Sequence, residues 1–203
     1  MKLAIFASGN GGNFEAIVEA WKRGELLAQP ALCVCDKPGA FVIERARRLG
    51  VPVVVASPKE FADKAEYETF LADRLEEAGI DLICLAGYMR LIGPVLLSRF
   101  PERIINIHPS LLPAFKGAHA IRDAFSYGVK VFGVTIHYVD ETLDGGRIIA
   151  QEAFPYTGTD IDELETLIHQ TEHSLYPRTI NALYNPNHLK NLLNLNNPPT
   201  PHK

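Results

Sequence analysis

The chain alternates short apolar runs with amphipathic, charge-bearing stretches, several of them closed by glycine, and few folds satisfy that rhythm. Residues 3–7 are apolar and end in Ser8-Gly9-Asn10-Gly11-Gly12-Asn13; Phe14, Ile17, Val18 and Trp21 then recur at helical spacing up to Gly24. Residues 31–35 read as a second buried strand, 41–49 as a helix stopped by Gly50, and 51–56 as a third, β-branched strand. A long charged helix is expected over 59–78, closed by Gly79. Residues 82–86, apolar on both faces, fit a central parallel strand, and 103–108 a fifth strand. Such a β-α-β series predicts an α/β, doubly wound, mostly parallel Rossmann-like sheet with right-handed crossovers.

The second half changes character. Two strand-like runs, 130–139 and 147–154, flank Asp140-Glu141-Thr142-Leu143-Asp144-Gly145-Gly146, which predicts an antiparallel hairpin added to the sheet. The longest helix is expected over 160–184, with Asp160 and Glu163 spaced as a capping box and Ile161, Leu164, Ile168 and Leu175 as its apolar stripe. Residues 185–203 hold six Asn and four Pro and read as a loosely attached tail with one turn near 189–193. One domain over 1–184 is therefore expected.

Composition narrows the function. Lysine plus arginine is 20 and aspartate plus glutamate 24, a net charge of −4, without the basic footprint of a nucleic-acid binder. Nothing reaches the roughly 18 apolar residues of a membrane span. The three cysteines, Cys33, Cys35 and Cys84, are odd in number and lie in apolar runs; they read as core thiols of a cytoplasmic protein. Small-molecule partners remain, since a site needs only local charge.

Four segments carry candidate chemistry. The loop Ser8–Asn13 joins the first strand to the first helix, where backbone N–H groups and the helix dipole hold phosphate. Phe14 occupies the last glycine position of a dinucleotide fingerprint, and no Lys-Ser/Thr pair makes it a P-loop; the alternative is a tight turn with no ligand. Asn106 and His108 are two apart on a strand, so they share a face at its carboxyl end, where open α/β sheets place their sites. An amide donor beside an imidazole suits a carbonyl oxygen that gains charge, although a strand-end histidine bonded to backbone fits equally well. Asp144, if it reaches His108, favours the charged imidazole; on spacing alone it is a turn aspartate before two glycines. His169-Gln170-Thr171-Glu172-His173 matches a zinc pattern, yet no further carboxylate follows Glu172, so a polar helix face lining a cleft is the better reading.

Taken together, the glycine loop, Leu85-Ala86-Gly87-Tyr88-Met89-Arg90-Leu91-Ile92, Ile105-Asn106-Ile107-His108-Pro109-Ser110-Leu111-Leu112-Pro113 and Gly133-Val134-Thr135-Ile136-His137-Tyr138-Val139-Asp140-Glu141-Thr142-Leu143-Asp144-Gly145-Gly146 resemble the folate-dependent formyltransferases. The resemblance runs from residue 2 to about 184 and is specific because the motifs occur jointly and in order. It implies the formyltransferase fold and transfer of a formyl group from 10-formyltetrahydrofolate, a co-substrate, to the amine of glycinamide ribonucleotide in purine synthesis, with no metal required. It assigns catalysis to Asn106, His108 and Asp144. Gly11, Gly12 and Asn13 take the substrate phosphate and Glu172 the ribose hydroxyls. Lys64, Met89, Arg90, Leu91 and Ile92 serve the folate, together with Asn106 and the backbone of Val139, Asp140 and Glu141. Three positions depart from the family pattern: Gly12 where serine is usual, Lys116 where proline is common, and His169 where some members carry glutamine. The Lys116 segment resembles formyltetrahydrofolate deformylase, the rival enzyme; a non-catalytic folate or nucleotide module is the rival of another class.

Overall fold

A computed structural model describes residues 1–184; the expected tail and its turn lie outside the described residues. The elements run β1 (Lys2–Ala7), α1 (Gly12–Lys22), β2 (Gln29–Cys35), α2 (Phe41–Leu49), β3 (Val53–Val55), a 3₁₀ turn (Pro58–Glu60), α3 (Lys64–Glu77) and β4 (Leu82–Leu85). They continue with α4 (Pro94–Arg99), β5 (Ile104–His108), α5 (Ala120–Tyr127), β6 (Val131–Tyr138), β7 (Ile148–Pro155) and α6 (Ile161–Tyr184). The seven strands form one sheet in the order β3-β2-β1-β4-β5-β6-β7. The first five are parallel, and β6 and β7 add antiparallel, so the expected mixed sheet and hairpin are present.

Alternation along the strands builds two cores. On β1, Leu3, Ile5 and Ala7 face one side with Phe14, Ile17, Leu164 and Ile168 of α1 and α6. Ala4 and Phe6 face the other, with Leu71, Leu75 and Leu96 of α3 and α4. The order reverses at β1, whose neighbours are β2 and β4, and this switch point opens the crevice in which such sheets bind ligands. From α6, the fully buried Tyr176 donates its hydroxyl proton within a shared contact to the carbonyls of Leu85 (3.0 Å) and Ile105 (3.3 Å), tying the last helix to the two strands that end at the crevice.

Several local expectations change. The helix expected over 59–78 begins at Lys64, where the Asp63 side chain accepts from the Glu66 amide; Pro58 and a Ser57–Glu60 capping box make a separate 3₁₀ turn before it. Helices α4 and α5 were not expected; with six and eight residues they are too short to show a period. Trp21 is 36% exposed and lies outside the buried face of α1. Asp160 caps α6 by accepting from the amides of Asp162 and Glu163, but the Glu163 carboxylate accepts from the Tyr156 hydroxyl, so no reciprocal box forms. Pro177 lies inside α6 and, lacking an N–H, leaves the carbonyl of His173 without its helical donor. All three cysteines are free and buried, and burial pushes the Cys33 thiol up to about 12. No helix among the described residues is long and apolar enough to cross a membrane.

Candidate active site

β5 decides where the polar groups go. Ile105 and Ile107 turn toward the core under α6, which sends Asn106 and His108 to the opposite face of the strand. The antiparallel register then sets His137 of β6 across from Asn106, and Thr135 across from His108. Both β6 residues are buried, at 2% and 0% exposure. Thr135 donates to the Ser110 carbonyl and accepts from the Leu112 amide and from Gln151, fastening the loop that follows β5.

That loop closes over His108. The Nε2–H of His108 donates to the Phe115 carbonyl at 2.9 Å, while Nδ1 lies 3.5 Å from Oδ2 of Asp144. Both ring nitrogens thus face oxygen acceptors, the arrangement that a charged imidazole requires. The same Asp144 oxygen accepts from the Gly117 amide at 2.8 Å, and Oδ1 lies 3.8 Å from Nε2 of His137. Asp144 holds φ +46°, a left-handed conformation that aspartate tolerates better than most residues. The turn around it requires glycine at 146, since a Cβ there would collide with the Tyr138 carbonyl.

His137 was missed by the sequence reading. Its Nδ1–H donates to the Tyr138 carbonyl at 2.8 Å, and its Nε2 accepts from the Asn106 amide at 3.2 Å. Burial holds its pKa below the ordinary 6.5, against the opposing pull of the Tyr138 carbonyl and of Asp144. Only the β5–β6 register places it; a sequence search for a polar residue facing Asn106 would have needed that register first.

At the other end of the crevice, Gly11 takes φ +79° as it enters α1 and packs so close to Val42 that a Cβ would clash. The first N–H groups of α1 have no helical acceptors, as at any helix start. Asn13 donates its amide to Oε2 of Glu172 at 3.0 Å, and the Nδ1–H of His169 donates to the same oxygen at 3.0 Å. Glu172 is 5% exposed, so this carboxylate joins α6 to α1 and keeps Oε1 for a further donor. Asn13 Oδ1 is buried without a partner among the described residues. His173 stacks on His169 and sets its Nε2 3.1 Å from where a Gly12 Cβ would stand. Departures at 12 and 169 therefore fall in one cluster.

The two ends share a cleft of about 910 Å³ that also touches Lys64, Asn106, His108 and Asp144, within the usual size range of a small-molecule site. Its opposite wall is 89–92: Met89 and Leu91 are exposed at 69% and 65%, and Ile92 is buried. That wall is pinned from three sides. Ser8 accepts from the Met89 amide at 2.9 Å, and buried Asp36 accepts from Arg90 at 2.7 Å. Glu68 accepts from the Gly93 and Leu96 amides at 2.5 and 3.3 Å, capping α4, and Nζ of Lys64 lies 3.8 Å from the oxygen that takes the Gly93 amide. Of the expected backbone contacts at 139–141, the Val139 amide is already committed to the Ile104 carbonyl, so Val139 offers its carbonyl and its side chain alone. Asp140 and Glu141 line the cleft; Asp140 accepts from the Thr142 amide and hydroxyl, which hold its carboxyl below the usual range.

A switch-point crevice lined by an amide, an imidazole and a carboxylate has the groups that acyl transfer uses, and the family comparison gives the class. Residues 1–180 match the formyl transferase family, so the chain belongs to it. Among curated relatives, the phosphoribosylglycinamide formyltransferase of Bacillus subtilis strain 168 is 50% identical over 197 residues, 97% of this chain and 96% of that protein. The trifunctional purine biosynthetic protein adenosine-3 of Drosophila melanogaster is 38% identical over 187 residues, and there the match spans 91% of this chain but 14% of the larger protein. The crystal structure of glycinamide ribonucleotide transformylase 1 from Geobacillus kaustophilus superposes with a TM-score of 0.88 at 55% identity, covering 91% of this chain and 98% of that one. That of the phosphoribosylglycinamide formyltransferase from Bacillus halodurans gives 0.87 at 51% identity, covering 90% and 95%.

Proposed function

We propose that this chain transfers the formyl group of 10-formyltetrahydrofolate to the amine of 5-phosphoribosylglycinamide, a step of purine biosynthesis. The observation that carries the reading is the single cleft linking the α1 N-terminus to the 89–92 wall, with Asn106, His108 and Asp144 between them. Helix-terminal amides at Gly11, Gly12 and Asn13 suit a phosphate, and Glu172 Oε1 a ribose hydroxyl. Exposed Met89 and Leu91, with Ile92, offer apolar surface to a flat heterocycle, exposed Lys64 offers positive charge near an anionic tail, and Arg90, paired with Asp36, fixes the wall they share.

The co-substrate supplies an electrophilic formyl carbon. Its bond to the amine forms, its bond to the folate nitrogen breaks, and one proton passes from the amine to that nitrogen. Asn106 donates to the formyl oxygen as charge collects there. His108, held by Asp144, places positive charge beside the same oxygen; donation from Nε2 replaces its bond to the Phe115 carbonyl. Asp144 takes the amine proton through water and passes it by the same route to the folate nitrogen as the bond from that nitrogen to the formyl carbon breaks. Holding both substrates in one cleft removes much of the entropic barrier. Mass spectrometry of a mixture of enzyme, 10-formyltetrahydrofolate and 5-phosphoribosylglycinamide tests the reading: a formylated ribonucleotide is expected, and its absence with folded enzyme would overturn it.

Hydrolysis of the same co-substrate is the second reading, favoured by one observation. Lys116 stands between the Phe115 carbonyl and the Gly117 amide that contact His108 and Asp144, in the segment that resembles the deformylases. The chain would then act on water in place of an amine.

A further inference from the structure

We infer that His137 is a positioning residue for formyl transfer: its neutral ring, with Nδ1–H fixed on the Tyr138 carbonyl, dictates which end of the Asn106 amide meets the reacting oxygen. The inference rests on the role proposed for Asn106 and goes beyond it by naming what orients that side chain.

An asparagine amide has a donor end and an acceptor end of nearly equal shape, and only its hydrogen-bond partners choose between them. Here the choice is made by a chain of two bonds. A carbonyl can only accept, so the nitrogen facing Tyr138 O must carry hydrogen. In a neutral imidazole the other nitrogen, Nε2, is then a bare lone pair and takes the NH₂ of Asn106 at 3.2 Å. One N–H of Asn106 is spent there and its twin remains for the formyl oxygen. Protonating His137 reverses the logic: Nε2 becomes a donor, repels the Asn106 NH₂ and attracts its oxygen instead.

The surroundings favour the neutral ring. His137 is 2% exposed, and burial depresses its pKa. The charged groups facing it are divided. Asp144 on the 139–146 turn, 3.8 Å away, and Asp140 favour the cation, whereas His108 on β5 opposes it. On β7, Ile148 pairs with His137 and Ala150 with Ile136, neither of them charged, and the preceding Arg147 lays its guanidinium over the Tyr138 ring. Two imidazoles thus share one carboxylate, and Asp144 stands closer to His108 than to His137, at 3.5 against 3.8 Å. The carboxylate thus sits nearer the imidazole at 108, while Nε2 of the ring at 137 faces the Asn106 amide.

Two variants and one spectroscopic measurement test the inference, with wild-type transfer in the same assay as reference. His137→Leu removes the acceptor; kcat is expected to fall by about 10²- to 10³-fold, the scale of one lost or misaimed oxyanion donor, with KM for both substrates within about twofold. His137→Gln restores an acceptor that does not titrate, and is expected to keep kcat within about threefold while losing the loss of activity that protonation of residue 137 imposes at acid pH. Nitrogen-15 NMR of labelled histidine should find residue 137 neutral with hydrogen on Nδ1 at pH 7, whether or not the enzyme turns over. A charged ring, hydrogen on Nε2, wild-type kcat in His137→Leu, or equal damage in the Gln and Leu variants would each overturn it. Should the Leu variant fail to fold, the tautomer and the Gln pH profile still decide. Absence of transfer by wild-type enzyme with the expected tautomer present would count against the functional reading instead.

Discussion

Nδ1 of His108 lies 3.5 Å from Oδ2 of Asp144, and the two side chains are delivered by different parts of the fold, one by the end of β5 and the other by the turn between β6 and β7. Both are nearly buried, at 6% and 10% side-chain exposure, so the contact is little screened by solvent. The Gly117 amide holds the same carboxylate oxygen, which fixes Asp144 relative to the loop over His108.

Asp144→Asn isolates the charge in that contact, because it preserves size and an acceptor for Gly117. We expect kcat to fall by about 10² or more, the usual contribution of a positioned acid–base group, with little change in KM. Steady-state kinetics on protein of unchanged circular dichroism checks this; wild-type kcat would show that the carboxylate charge does no work in the reaction.

Glu68 makes a separable prediction. Its carboxylate is 3% exposed and satisfies two backbone amides at the start of α4, immediately after the 89–92 wall. Glu68→Ala strands those donors, at a cost of about 1–3 kcal/mol in urea unfolding. KM for the folate should rise more than kcat falls, since the wall is loosened while the chemistry is untouched. Unchanged stability and KM would remove Glu68 from this role.

At the far end of the cleft, the bond to Glu172 raises the His169 pKa above the ordinary 6.5, with burial opposing. The charged form, and whatever stability it adds, is therefore fully present below about 6.5 and is lost as pH rises through the raised folded value. KM for the ribonucleotide should rise over that window in wild-type enzyme and stay flatter in His169→Gln. The variant also controls for ionisation of the substrate phosphate, whose second pKa of about 6 affects both enzymes alike. Parallel KM–pH curves would separate His169 from phosphate binding.

How much of this could be read from residues depends on whether the information is local. The strand alternation, the shared face of Asn106 and His108 and the hairpin after 130 all follow from period and turn chemistry. The pairing of Asn106 with His137 does not, because a one-residue slip of β6 would send that imidazole to the opposite face. The Glu163 carboxylate was expected at its own helix start, but the Tyr156 hydroxyl, brought near by the end of β7, claims it. The His169–His173 segment matches a metal motif in sequence, but the reading preferred for it, a polar helix face lining a cleft, is what packing against α1 delivers, with its glutamate given to Asn13. Helix α4 is held by a tertiary contact, the Glu68 cap, which no short window contains.

Transfer to an amine, as opposed to hydrolysis, is the central claim, and one measurement tests it most directly. Enzyme is incubated with 10-formyltetrahydrofolate in two arms, with and without 5-phosphoribosylglycinamide, and both tetrahydrofolate and formate are quantified. The cleft geometry predicts tetrahydrofolate formation that depends on the acceptor, matched one for one by formylated ribonucleotide, with negligible formate. Formate released at the same rate in both arms would contradict it and identify a deformylase.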